Sequence, residues 1–333
     1  MSKSELKISI DKPDRIYRGG ETVTGAVEVY VNERCECKAL ILKCEWRTHG
    51  KGNIARGEVT SVNLFSGTWE PGASFAYEFS IQLPAGPATY HGTYLNVDWY
   101  LKAQADVPWA IDPKSEADFV LIPISARVPA KRVSEIKKPS GACGMGCMLV
   151  MSLIFGGVGV GLLVASLQQS GCATLMMAGF GALFAAAGVW ILVSSIRKTI
   201  AEKRLGPLHL ELSGDRARGG DPLTATVRFT PSADIALSRV MATLQAFERC
   251  VSGSGTNTTT HRHTFFTRDV QLCGPRGAAA GAGVELRGEF VLPADAPPSF
   301  NASDNELTWS VKFVVSMEGL PDVSRDVTFT VAS

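Results

Sequence analysis

The sequence predicts an all-β protein in which two β-sandwiches are joined by a transmembrane hairpin of two helices. Three observations predict this fold: a long uncharged stretch in the middle of the chain, alternating apolar and polar residues on both sides of it, and a set of landmarks that occurs twice. The 333 residues carry 33 Lys and Arg against 32 Asp and Glu. This nearly neutral, ordinary composition excludes a disordered chain and a polycation that binds nucleic acid.

The uncharged stretch covers 58 positions, 139–196, that contain no Asp, Glu, Lys, Arg or His. Its two apolar runs, about 145–167 and 172–196, each exceed the roughly 20 residues that a helix needs to cross a bilayer. The short link between them leaves no room for a domain, so the helices are antiparallel neighbours. Neither run has the polar stripe of a soluble helix, and the N-terminus lacks the apolar region of a signal peptide. We therefore divide the chain into a sandwich at 1–138, a hairpin at 139–204 and a second sandwich at 205–333.

Basic residues flank both spans and are missing from the link between them. They are Lys131, Arg132, Lys137 and Lys138 before the first span, and Arg197, Lys198, Lys203 and Arg204 after the second. The positive-inside rule assigns these flanks, and with them both sandwiches, to the cytoplasm of an integral membrane protein. We expect the cations to form collars that bind anionic lipid headgroups, at about 1 kcal/mol for each residue near the surface.

Small residues recur at intervals of four along both spans. They are Gly157, Gly161 and Ala165 in the first, and Ala178, Ala182 and Ala186 in the second. Because stripes of small residues let helix backbones approach closely in lipid, we expect these six residues to form the helix contact. The same stripe offers a surface for a homo-oligomer. The spans hold no Asp, Glu, Lys, Arg or His, which favours an anchor over a pore or transport path.

The flanking segments show the period-two pattern of half-buried strands. Apolar residues alternate with polar ones over 97–107 and again over 75–82. Such alternation is typical of an antiparallel strand with one face on a core. Seven or more short segments of this kind, separated by Gly- and Pro-bearing turns, fit into the first 140 residues, and that density predicts a β-sandwich.

The landmarks of the first segment return in the second. The Arg-Gly-Gly turn at 18–20 returns at 218–220, the Leu-Pro pair at 83–84 returns at 292–293, and Trp99 returns as Trp309. Their order is the same, and the offset drifts only from 200 to 210. We therefore expect two copies of one sandwich, with Trp99 and Trp309 buried at equivalent positions in the structural core of each.

These features resemble the arrestin superfamily, whose members consist of tandem immunoglobulin-like β-sandwiches. The resemblance lies in the Tyr-Arg-Gly-Gly turn at 17–20, the Leu-Pro pair followed by Pro87, Tyr90 and Gly92, and the alternating strand 97–105. It implies domains that present binding surfaces to other proteins. The chain departs from the family in two ways. A transmembrane hairpin replaces a short linker, and the Pro-Pro pair at 297–298 lacks the tyrosine of the motif that recruits ubiquitin ligases.

Candidate sites for chemistry are few. Three cysteines at 35, 37 and 44, together with His49, could supply a partial zinc site, but the expected state is ordinary reduced thiols. His261 and His263 share a face of an extended segment, yet no carboxylate lies close to them in the sequence. Cys143 and Cys147 at the membrane entry are candidates for S-acylation, with helix packing as the alternative. We expect no metal, no cofactor and no enzymatic activity.

The anchored geometry favours a non-enzymatic adaptor or scaffold. In this hypothesis both cytoplasmic sandwiches bind a protein partner, which the sequence does not identify, through loops or an exposed strand edge. The alternative is a sensor of membrane state or envelope stress that acts through association of hairpins and changes the angle between the domains. The two hypotheses differ in the oligomeric state that they require.

Overall fold

The computed structural model describes residues 3–109, 112–124, 131–137, 142–168 and 171–332. In these ranges strands dominate, and the only helices are two consecutive ones between the β-rich halves. The prediction of a mostly-β chain with a helical hairpin is therefore confirmed at this coarse level. Both helices are long and apolar enough to cross a membrane.

The N-terminal sandwich consists of two sheets around one apolar core. Its strands are β1 (Ser4–Ile10), β2 (Ile16–Arg18), β3 (Thr22–Val31), β4 (Cys35–Gly50), β5 (Arg56–Trp69), β6 (Ser74–Gln82), β7 (Tyr90–His91), β8 (Leu95–Asp106) and β9 (Lys114–Ile122). One sheet has the order β1-β3-β6. The other has the order β2-β9-β8-β4-β5, and β7 pairs with β8.

The C-terminal sandwich has the same construction. The strands are β10 (Val133–Lys137), β11 (Leu208–Leu212), β12 (Arg216–Ala217), β13 (Pro222–Phe229), β14 (Ile235–Ser254), β15 (Asn257–Cys273), β16 (Arg276–Ala278), β17 (Val284–Val291), β18 (Phe300–Ala302), β19 (Asn305–Met317) and β20 (Val323–Val331). The sheets have the orders β10-β11-β13-β17 and β12-β20-β19-β14-β15, and β16 and β18 pair with β14 and β19.

Strand order repeats between the two halves. The order β1-β3-β6 matches β11-β13-β17, and the five-strand order of the second sheet matches including its single parallel pair, β2 with β9 and β12 with β20. The glycine turns match as well. Gly20 and Gly220 have φ angles of 82° and 85°, a region that favours glycine, and their N–H groups donate to the carbonyls of Leu83 and Leu292 at 3.1 Å each.

The two tryptophans that the sequence analysis paired are fully buried. Trp99 on β8 lies opposite Phe119, and its indole N–H donates to the carbonyl of Pro87 at 2.8 Å. Trp309 on β19 lies opposite Phe329, and its indole N–H donates to the carbonyl of Pro297 at 3.0 Å. The two tryptophans lie on equivalent strands, each opposite a phenylalanine, and each donates to a proline carbonyl. The two positions are therefore equivalent.

The predicted hairpin is a helical pair, α1 (Ala142–Ser166) and α2 (Cys172–Leu205). Within α1, the segment Met148–Ser166 is by itself long and apolar enough to cross a membrane. With 34 residues, α2 is about 51 Å long, well beyond the ~30 Å of hydrocarbon that a span must cross. Its last turns therefore extend beyond the length that a span needs and reach the C-terminal sandwich.

The hairpin is inserted in the C-terminal sandwich, which differs from the predicted boundary at 138. β10 pairs antiparallel with β11, with Lys137 opposite Leu208 and Val133 opposite Leu212. The chain passes from β10 into α1 and from α2 into β11, so the two helices occupy the place of the turn in a β-hairpin. Residues 133–137 thus belong to the second sandwich. The five-residue edge strand that they form pairs with β11, which follows it by some 70 residues in the chain.

The predicted stripe of small residues is not where the helices touch. Gly157 and Gly161 are exposed, and among the described residues a Cβ at either position would have no neighbour within 4 Å outside its own stretch of helix. Ala182 and Ala186 are exposed, whereas Ala165 and Ala178 are half-buried. Instead, Gly159 meets Ala185 and Gly188 meets Gly156, and the Ser152 hydroxyl donates to the Gly188 carbonyl at 3.1 Å.

The physical reason for this shift is the spacing of the contact residues. A strict interval of four drifts about 40° around the helix at each step. The observed contacts instead alternate intervals of four and three, and the buried positions are 152, 159 and 166 on α1 and 181 and 188 on α2. This seven-residue repeat keeps one seam facing the partner helix.

We expect Gly159→Leu to weaken the helix pair and Gly157→Leu to leave it unchanged. A side chain at 159 would overlap the backbone of Ala185, while one at 157 points into open space. Overpacking of this kind costs roughly 1–3 kcal/mol. The free energy of unfolding of the full chain in a denaturing-detergent titration measures the difference, and a larger loss for the 157 variant would contradict the helix contact.

Candidate functional site

The two sandwiches meet at equivalent ends. The β4–β5 turn and the start of β8 face the β14–β15 turn and the start of β19. Equivalent backbone hydrogen bonds link the turn to the start of the strand in each sandwich. In the N-terminal one, Lys51 N–H donates to the Tyr94 carbonyl at 2.9 Å, and in the C-terminal one, Val251 N–H donates to the Asp304 carbonyl at 2.7 Å. The interface thus joins two copies of one structural end.

Glu248 on β14 is the central polar residue of this interface. Its carboxylate is fully buried and accepts three hydrogen bonds from the N-terminal sandwich. The Tyr90 hydroxyl and the Thr93 N–H donate to Oε1 at 2.7 and 3.0 Å, and the Tyr94 N–H donates to Oε2 at 2.6 Å. A buried charge is tolerated when such donors surround it. Gly92 is required here because a Cβ at that position would overlap Glu248 Oε1.

Asn305 and Asn53 form a second polar contact between the sandwiches. The buried Asn305 amide donates to the carbonyl of Asn53 at 2.7 Å and to the Thr48 hydroxyl at 3.2 Å. The Asn53 side chain donates to the Gly253 carbonyl at 2.8 Å and accepts from the Gly253 N–H at 3.1 Å. Both the NH2 group and the oxygen of the Asn53 side-chain amide are thus hydrogen-bonded across the domain boundary.

Aromatic side chains surround the polar contacts. The Tyr94 ring lies 6.0 Å from His261 and 5.6 Å from His263, both on β15, in edge-to-face geometry. The predicted face shared by these histidines therefore packs on a tyrosine.

Burial, followed by the hydrogen bond to Glu248, raises the pKa of Tyr90, so its hydroxyl stays a proton donor at physiological pH. Leu95 and Val97 of the N-terminal sandwich belong to the apolar core of the C-terminal one.

A second junction fixes α2 to the C-terminal sandwich. In the last turns of α2, Ala201, Glu202 and Leu205 are buried. The Arg325 guanidinium donates to Glu202 Oε1 at 3.0 Å. Further along, the Ser232 hydroxyl donates to the Lys203 carbonyl at 2.7 Å and so satisfies one of the free acceptors at the helix end. The helix that leaves the apolar zone is thus part of the sandwich core.

The predicted collar is divided by the fold. Arg197 and Lys198 follow the apolar span of α2, and Lys203 and Arg204 form its last turn. Lys131 lies at the end of β10 that is remote from the helices. The Asp215 N–H donates to the Lys131 carbonyl at 2.6 Å. About 20 Å of extended chain separates Lys131 from Lys137.

Lys131 and its neighbour Arg132 thus lie apart from the other cations predicted for the collar. The distance from Lys131 to Lys137 is about two Debye lengths at physiological ionic strength, so these two charges are largely screened from each other. The charges alone do not distinguish the extended strand that carries Lys131 and Arg132 from a helix end. Lys138, and the side chains of Cys143 and Cys147, lie outside the described residues.

The cysteines of the N-terminal sandwich are core residues. Cys35, Cys37 and Cys44 are buried, and desolvation raises the pKa of Cys37 to about 11 and of Cys44 to about 12. Such thiols stay protonated and are poor metal ligands. His49 bonds instead to the Tyr100 hydroxyl at 3.0 Å. Among the described residues no group of three or more His, Cys, Asp and Glu side chains is arranged to hold a metal ion.

The polar residues of both junctions were not predicted from the sequence. Glu248 stands at an inward position in the alternating apolar series 240–250, where a carboxylate is out of place. That mismatch was a usable signal for a buried functional residue. Glu202 gave no comparable signal, since a charged residue after a membrane span is ordinary.

No model of a known protein family matches the chain, and no curated protein matches it. The resemblance to the arrestin superfamily therefore rests on the residues and motifs of the sequence.

We expect Glu248→Gln to loosen the interface between the sandwiches. An amide replaces one oxygen with a donor, so a backbone N–H of Thr93 or Tyr94 loses its acceptor, at a cost of about 1–3 kcal/mol. Hydrogen exchange over residues 90–95 should accelerate. The control is Glu285→Gln on β17, an exposed carboxylate paired with Arg228, which should leave exchange over residues 90–95 unchanged because a solvent-exposed ion pair stabilises little. Unchanged exchange in the Glu248 variant would contradict the assigned role.

Proposed function

We propose that the chain is a membrane-anchored adaptor with two arrestin-like, immunoglobulin-like sandwiches that bind a protein partner. The repeated strand order, the equivalent glycine turns and the paired tryptophans support the arrestin-like assignment. The carboxylates of both junctions, Glu248 and Glu202, are engaged in structural hydrogen bonds, which supports a binding role over an enzymatic one. The fold by itself is only an analogy for function.

The observation that carries the proposal is the attachment of the hairpin to one sandwich. Both helices continue into the C-terminal sandwich through β10 and β11, while the N-terminal sandwich is held by the interdomain interface. This arrangement suits an adaptor that presents its N-terminal sandwich to a partner at a fixed distance from the membrane anchor.

An aromatic edge of the N-terminal sandwich is the best-supported binding surface. β5 and β6 are the outermost strands of their sheets and lie next to each other. Phe75 is 38% exposed and stacks on Tyr77 with ring centroids 6.0 Å apart, and Phe65 packs on the same tyrosine at 5.1 Å. Edge strands with exposed aromatic side chains suit a partner that adds an extended segment.

The proposed orientation has both sandwiches in the cytoplasm. It is supported by Lys137 before α1 and by four cations at the cytoplasmic end of α2, against the uncharged link at the opposite end. The near cations would attract anionic headgroups to this side of the bilayer.

Site-specific photocrosslinking in cells tests this function. A photoreactive amino acid replaces Phe75 in the full chain, and in the control it replaces Val291, a 51% exposed apolar residue on the equivalent strand β17. We expect a protein partner to crosslink at 75 and not at 291. In parallel, protease added to sealed cells should spare both sandwiches.

Two outcomes would contradict the proposal. Equal crosslinking at both positions, or none at 75, would remove the aromatic edge as the binding surface. Digestion of either sandwich from outside the cell would reverse the orientation and with it the cytoplasmic partner.

A further inference from the structure

We infer that the membrane-side end of the C-terminal sandwich lies within the lipid headgroup layer, so that this end is a contact surface for a phospholipid bilayer. The inference rests on the proposed function in one respect, since it requires the helices to span a membrane. It goes further by naming the part of the sandwich that meets lipid, and hence which sandwich is left for partners.

The helix pair fixes the depth of this surface. Gly156 faces Gly188 and Gly159 faces Ala185, so the two helices run past each other residue for residue. Continuing in step, Met148 on α1 lies level with Ile196 on α2. Ile196 is also the last apolar residue before Arg197. The change from apolar to charged residues on α2 thus places the edge of the hydrocarbon at Ile196.

The sandwich begins at the same level. The Arg197 guanidinium donates at 3.0 Å to the carbonyl of Gly319, in the turn between β19 and β20. A helix rises about 1.5 Å per residue, so Arg197 lies about 1.5 Å beyond Ile196 along the helix axis. The headgroup layer is roughly 5–7 Å thick on each side of the hydrocarbon, which is several times this distance. A turn bonded to the first residue beyond the hydrocarbon therefore lies inside that layer.

The contacts farther along α2 prevent the sandwich from moving away. Ser232 binds the carbonyls of Lys203 and Arg204, and Glu202 is buried against Arg325. From Arg197 to Arg204 the helix is held by the sandwich at both ends of a segment about 10 Å long. The sandwich cannot lift from the headgroups unless this segment detaches.

The chemistry of the surface suits a zwitterionic bilayer. The turn carries the exposed carboxylates Glu318 and Asp322, and α2 carries Arg197 and Lys198 at the same level. The neighbouring loop, 279–283, is an exposed series of glycines and alanines without charge, and its backbone bonds to the Pro231 carbonyl beside the α2 contact. Balanced charge and small side chains require no anionic lipid, so phosphocholine is sufficient.

Fluorescence quenching in vesicles tests the inference. The full chain is reconstituted in phosphatidylcholine with the fluorescent amino acid acridonylalanine in place of Glu318. The matched control carries it in place of Trp109, a fully exposed residue in the equivalent turn, between β8 and β9, of the other sandwich. A lipid with a nitroxide on its headgroup should quench the probe at 318 at least threefold more strongly than the probe at 109. The difference should persist at high salt.

A third probe separates failure of this inference from failure of the proposed function. Acridonylalanine replaces Leu183 in α2, which is 69% exposed, and acyl-chain nitroxides should quench it if the helix spans the bilayer. Quenching at 183 with equal quenching at 318 and 109 would overturn the headgroup contact alone. No quenching at 183 would overturn the membrane-spanning role, and the headgroup contact with it.

Discussion

The pairing of β10 with β11 is the constraint on which the rest of the structure depends. Five residues before the hairpin and five after it form one antiparallel ladder. The helices that connect these strands cannot slide past each other without shearing the ladder, and α2 is held in addition by the buried Glu202. The hairpin is therefore an element of the C-terminal sandwich, in mechanical terms, and not a linker between two domains.

This constraint gives the two sandwiches different roles. The C-terminal one is tied to the helices by covalent continuity, a strand ladder and a buried ion pair. The N-terminal one depends on the interface around Glu248 and Asn305, whose hydrogen bonds are individually worth about 1 kcal/mol when both partners are present. Any change in the angle between the sandwiches would have to break this interface. A sensor that acts through the hairpin would first move the C-terminal sandwich, which makes the interface the point at which such a signal would have to be passed on.

The gross fold could be predicted from the sequence because its signals are long or repeated. An uncharged stretch of 58 residues has few structural meanings, and the pairing of Trp99 with Trp309 reports a duplicated frame. The helix contact was misassigned because glycine and alanine occur on every side of both helices, and only the seven-residue repeat distinguishes Gly159 from Gly157. The attachment of the hairpin was missed for another reason. A strand of five residues such as Val133–Lys137 carries no information about its partner, and the cations after Ile196 suggest the end of a helix that in fact continues to Leu205.

Hydrogen exchange of the full chain in lipid nanodiscs tests most directly whether the hairpin and the C-terminal sandwich are one unit. A single unit requires the amides that are hydrogen-bonded between β10 and β11 to exchange as slowly as those of β19 in the middle of the same sandwich, because the ladder opens only when the sandwich unfolds. Exchange of β10 and β11 that is faster than that of β19 by two or more orders of magnitude would show that the ladder opens locally. The hairpin would then be a flexible tether attached to the C-terminal sandwich and not a structural element of it.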